Sequence, residues 1–107
     1  GGFAYGLGMY LKEETLVDPV DGKNKSQGGW NYWPLNNKDA PRIFNVELLP
    51  GNPSSRTAYG SKGVGEPPLL LAYSAVSALK KAILESRLER GLSEEFVLNS
   101  PATVDRV

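Results

Sequence analysis

The stretch PLLLAYSAVSALKKAILESRLER, residues 68–90, carries the strongest structural signal in the 107-residue chain. Leu69, Ala72, Val76, Leu79 and Ile83 recur at helical spacing and form a continuous apolar stripe. Pro68 suits a first helical turn, and Gly91 is a natural stop just beyond the last one. The first half, Leu69 to Ala78, has no charge on any face and is expected to be buried. The second half carries Lys80, Lys81, Glu85, Arg87, Glu89 and Arg90 and is expected at the surface.

Outward from that helix the order is weaker. Phe44, Val46 and Leu48 alternate with Asn45 and Glu47, which predicts a half-buried strand. Thr15-Leu16-Val17 reads as the end of another strand, and Phe96-Val97-Leu98 as a short third one. Residues 3–11 fit both a two-residue and a helical period, so periodicity leaves them open. Asp18-Pro19-Val20-Asp21-Gly22 is a turn, with proline early and glycine late. Ser100-Pro101-Ala102-Thr103 reads as the lead-in to another helix that the chain barely begins. The fold expected is α+β: one long helix at about 68–90 packed on a small, mostly antiparallel set of strands with long loops.

Composition narrows the chemistry. Twelve basic and twelve acidic residues cancel, so neither a nucleic-acid footprint nor a polybasic membrane patch is expected. No apolar run is long enough to span a bilayer, no leader opens the chain, and a cytoplasmic location is expected. Zero cysteines and zero histidines exclude disulfides, thiolate metal sites and the commonest proton shuttle within these residues. Ser54, Ser55 and Ser61 therefore have no histidine to activate them. Carboxylates, hydroxyls, lysines or a borrowed cofactor must carry any reaction. Twelve glycines and eight prolines point to many loops, and both ends read as cut from something longer.

Immediately before the helix lies Gly60-Ser61-Lys62-Gly63-Val64-Gly65-Glu66-Pro67-Pro68. Gly63 and Gly65 permit positive φ and close backbone approach. Pro67 disfavours a helical conformation at Glu66. A carboxylate so framed, at a helix N-terminus, is a candidate general base. The alternative is that Glu66 is only a partner of the helix dipole. Lys62 is either a cofactor anchor or a solvated loop residue. Gly6 and Gly8 either open space for a ligand or allow close packing. Trp30, Tyr32 and Trp33 line a substrate channel or belong to a core or interface.

Ser61-Lys62-Gly63-Val64-Gly65-Glu66-Pro67-Pro68-Leu69 resembles the S-K-x-x-G-E-P-P-L signature of the xanthine dehydrogenase and aldehyde oxidase family of molybdenum hydroxylases. Three other segments match that family in the same order. They are Gly2-Phe3 with Gly6-Leu7-Gly8 and Glu13-Glu14; Tyr32 and Pro41 with Phe44, Val46 and Leu48; and Leu98 to Thr103. Tyr5, Trp33, the displaced Pro34 and Val104 depart from the family's pattern.

The resemblance implies that residues 1–107 are a C-terminal fragment of a molybdopterin-binding catalytic domain. It implies oxidative hydroxylation of a purine by a molybdenum-bound hydroxide that Glu66 deprotonates, with Gly65 and Val64 beside the cofactor and no metal ligand in this chain. Molybdenum–molybdopterin would be held mainly by the rest of the domain, and FAD and 2Fe-2S clusters would lie in other regions. The complete enzyme is implied to be a homodimer, and the isolated chain inactive. The alternatives are an aldehyde oxidase of the same family, or a non-catalytic remnant acting as an interaction or dimerisation module. That last reading expects exposed apolar surface around Leu69 to Val76 and Phe3 to Leu11.

Overall fold

A computed structural model describes residues 1–63 and 65–107. Among these the elements are helical: α1 (Gly2–Leu11), α2 (Gly28–Asn31), α3 (Pro67–Leu71) and α4 (Tyr73–Glu89), with three short 3₁₀ turns. The centre of the molecule is the packing of α1 across α3 and the start of α4.

Glycine makes that packing possible. Gly2 and Gly6 are four residues apart and share one face of α1. A Cβ at Gly2 would lie 2.8 Å from the Gly65 carbonyl oxygen, and one at Gly6 would lie 2.5 Å from Ala72 Cβ. Each helical glycine costs about 0.8–1 kcal/mol relative to alanine. Here the loss is offset by bringing the two backbones together. Leu7, Ala72, Val76 and Ala102 form the small buried apolar centre. Tyr10 adds an edge-to-face contact with Tyr73, the ring centroids 5.4 Å apart.

The chain's C-terminal end closes over α1. Ala102 donates its N–H to the Tyr10 carbonyl at 2.7 Å, and Arg106 pairs with Glu14. Where the sequence suggested the start of another helix after Thr103, the structure has a single 3₁₀ turn, Val104–Arg106.

The expected α+β architecture is not observed. Among the described residues there is no sheet, and strand pairing is confined to one antiparallel bridge, Val17 with Asn24. That bridge marks the base of the predicted 18–22 turn, in which the Gly22 N–H donates to the Asp18 carbonyl at 2.9 Å. Residues 43–49 and 96–98 are irregular. The alternation at 44–48 suits a pleated backbone, but a strand also needs a neighbour for its N–H and C=O groups. No described segment supplies one. Phe44 instead stacks on Phe3 at a tilt, with centroids 5.5 Å apart, and Val46 and Leu48 face solvent.

The single long helix expected over about 68–90 is divided at Ala72, where ψ is −15° and the Ala75 N–H reaches back to the Ala72 carbonyl. Ala72 is the fully buried residue pressed beneath Gly6. The break therefore falls where α1 crosses most closely. The first half is also not interior: Leu70, Leu71 and Tyr73 are all more than half exposed. Gly91 ends α4 as expected. Its φ is +69°, and the N–H groups of Gly91 and Leu92 bond to the carbonyls of Leu88 and Arg87, a Schellman closure.

Candidate functional site

Glu66 is the residue immediately before α3. Its φ and ψ are −82° and −36°, a helical conformation rather than the extended one that Pro67 favours. The reason lies in its carbonyl, which accepts the first bonds of the helix from the N–H groups of Leu69 at 2.9 Å and Leu70 at 3.4 Å. The backbone at Glu66 is thus held by α3 while its side chain remains exposed and caps nothing. With five residues before the break, α3 supplies little more than one turn of aligned dipoles.

The glycine nearest in chain to the carboxylate has open room. A Cβ added at Gly65 would meet nothing within 4 Å, and the same holds at Gly63. The close backbone approach expected of this loop is made through the Gly65 carbonyl, and the residue that permits it is Gly2. The glycine of the loop that is conformationally required is Gly60, at φ +71° beside Pro53. Its carbonyl accepts from the Ser54 N–H at 3.0 Å, and Thr57 Oγ1 donates to the Ser61 carbonyl. These bonds tie the segment after Pro50 to the start of the Glu66 loop. Val64 lies outside the described residues, and Lys62 is exposed.

Two surface concavities stand out among the described residues, and Glu66 lines neither. One, of about 250 Å³, lies between Tyr5, Glu13, Pro34 and Leu35 on the outer side of α1. The other, of about 390 Å³, lies between Ile83, Arg87, Arg90 and Leu92 near the end of α4. Among the described residues no cluster of three or more acidic side chains is arranged to hold a metal ion, and no helix is long and apolar enough to cross a membrane. An exposed carboxylate beside unobstructed glycines accommodates a bulky group brought to it from outside these residues.

The other singled-out residues separate. Gly6 serves helix packing, and Gly8 is buried with the Glu13 carboxylate 3.1 Å from where its Cβ would be. Trp30 and Trp33 are exposed and outside any core; the Trp33 indole donates to the Trp30 carbonyl at 3.1 Å. Sequence reasoning missed Ser26. It is buried, accepts from the Leu16 N–H at 2.6 Å and donates to the Glu14 carbonyl at 2.8 Å, pinning the loop after α1. A lone serine in a polar run carries no signal of such a role. The i, i+4 glycines of α1 did carry one.

Ion pairs brace the periphery. The Lys25 ammonium, 2.7 Å from Asp18, holds that carboxyl below the usual carboxylate range, helped by the Val20 N–H. Lys12 does the same for Asp39 at 2.6 Å, helped by the Asn36 N–H.

No protein-family model matches the chain. Comparison with curated proteins is decisive. The chain is 42% identical over all 107 residues to a xanthine dehydrogenase of Drosophila pseudoobscura pseudoobscura. It is 40% identical over its full length to a xanthine dehydrogenase/oxidase of Gallus gallus, and 38% to an aldehyde oxidase 2 of Macaca fascicularis. In each case the chain spans only 8% of the relative's length. Over its whole length the chain thus matches a short segment of proteins of the xanthine dehydrogenase and aldehyde oxidase family.

Proposed function

We propose that the chain is a C-terminal segment of the molybdopterin-binding domain of a xanthine dehydrogenase-like hydroxylase, and that Glu66 is its catalytic base. The observation that carries this reading is the full-length 42% identity to a xanthine dehydrogenase, joined to an exposed carboxylate on an anchored backbone. When bound, the molybdenum–pterin group supplies the oxidising centre and the oxygen donor. Glu66 accepts a proton at its carboxylate, and the bonds from Leu69 and Leu70 to its carbonyl keep the backbone from shifting as it does so. A Cβ at Gly65 would meet nothing within 4 Å, so the backbone next to Glu66 stands in open space. FAD and 2Fe-2S clusters belong to regions outside these residues, and the chain alone is inactive. The substrate is a purine, and the complete protein is a homodimer.

The test is Glu66→Gln in the complete protein, with molybdenum and pterin content shown equal to the parent. Loss of a positioned base lowers kcat by about 10²–10⁴-fold; unchanged turnover at full cofactor loading refutes the assignment. An aldehyde oxidase is the second reading, favoured by the 38% match to aldehyde oxidase 2. Parallel purine and aldehyde assays separate the two.

A further inference from the structure

Backbone on either side of Glu66 rests on a glycine of α1. Before it in the chain, the Gly65 carbonyl oxygen lies 2.8 Å from where a Cβ of Gly2 would stand. After it, the Leu69 carbonyl oxygen is the atom nearest to where a Cβ of Gly6 would stand, ahead of the fully buried Ala72. Leu69 is also the residue whose N–H donates to the Glu66 carbonyl at 2.9 Å. The contact at Gly6 is therefore one hydrogen bond removed from the residue that carries the carboxylate. Backbone atoms make that contact, so turning a side chain does not relieve it.

We propose that Gly6 is a positioning residue: through the Leu69 backbone its missing side chain sets the first turn of α3, and so sets where the Glu66 carboxylate is held. The proposal rests on the reading of Glu66 as the base and adds a second residue to that reaction. α1 packs chiefly on α3, and α3 has only five residues. A displacement at Leu69 thus has no long helix over which to dissipate before it reaches Glu66. The Glu66 side chain makes no capping bond that would hold it independently of that backbone. A reacting group misplaced by about 1 Å can cost about 10²-fold in rate. A glycine that served packing alone would change stability and leave the reaction of the folded protein untouched.

Gly6→Ala is made in the complete protein, with Leu7→Ala as the control. Leu7 is buried on the same helix, and its truncation weakens α1 without pushing anything toward Leu69. At molybdenum and pterin content equal to the parent, Gly6→Ala is expected to lower kcat by about 10–100-fold while KM changes by less than about 3-fold. Leu7→Ala is expected to keep the parental kcat. Hydrogen exchange read by mass spectrometry is expected to quicken at the peptide holding Leu69 and Leu70 in Gly6→Ala alone, with residues 80–89 of α4 unchanged. Parental kcat in folded, loaded Gly6→Ala overturns the proposal, and so does an equal loss in Leu7→Ala. Should Gly6→Ala fail to fold, combining it with Ala72→Gly removes one of the two obstructions and leaves the Leu69 carbonyl pressed. That double variant is expected to fold and to remain slow; parental kcat in it overturns the proposal. Full turnover in Glu66→Gln refutes the base instead, and exchange at Leu69 and Leu70 then decides alone whether Gly6 positions this backbone.

Discussion

A methyl group at Gly6 would sit 2.5 Å from Ala72 Cβ, closer than real Cβ contacts come, and it would also press on the Leu69 carbonyl. Two effects compete in Gly6→Ala. Alanine gains about 0.8–1 kcal/mol of helix propensity, while overpacking costs about 1–3 kcal/mol. The clash involves backbone and a buried neighbour rather than a flexible side-chain tip, so the second effect wins. Gly6→Ala is expected to lower stability by about 1 kcal/mol or more in urea unfolding. Gly29→Ala is the contrast: its Cβ meets nothing within 4 Å, and the substitution is expected to be neutral or stabilising by up to about 1 kcal/mol. Equal effects at the two positions would remove the close-packing role of Gly6. The sequence left Gly6 open between ligand space and close packing and sought the close backbone approach at Gly63 and Gly65, whereas the structure makes it at Gly2 and Gly6. What distinguishes the sites is the partner across the gap, which lies far away in the chain.

Among the elements, α4 was the readable one. Its stripe, its charged second half and Gly91 are all local features, and local features determine where a helix runs and stops. The division at Ala72 was not readable, because its location coincides with contact by α1. The strand expected at 44–48 shows the same limit from the other side. Alternation specifies a backbone that can pair, whereas pairing is a property of two segments. The turn at 18–22 was legible through Pro19 and Gly22, and its electrostatics add a measurable consequence. Lys25 and the Val20 N–H depress the Asp18 carboxyl. A depressed folded value means that the pairing favours the folded state above the ordinary carboxylate range, near about pH 4, and that this contribution disappears as pH falls through the lower folded value. Carboxyl titration by NMR is expected to place Asp18 below an exposed aspartate, with Lys25→Ala moving it upward. An unmoved midpoint in that variant would assign the depression to the turn backbone instead.

At the scale of the whole molecule, the fold is more open than its length requires. A compact chain of this length has a radius of gyration of about 13 Å; the observed value is 18.3 Å, with principal extents of 52 × 42 × 26 Å. Among the described residues no large side chain is fully buried, and Ile43, Leu48, Leu49 and Trp30 are each at least 80% exposed. The apolar residues that the periodicity reserved for a core are present but lack a surface to close on. The candidate site is only half legible for the same reason: the sequence singles out a framed carboxylate, and among the described residues Glu66 lines neither of the two concavities. The same openness predicts how the isolated chain behaves. Small-angle scattering on it, extrapolated to zero concentration, is expected to give a radius near the observed 18.3 Å, and a dye specific for exposed apolar surface is expected to bind. A radius of about 13 Å without dye binding would mean that the chain closes its core by itself. Leu70 and Leu71, both more than half exposed here, would then be covered from within.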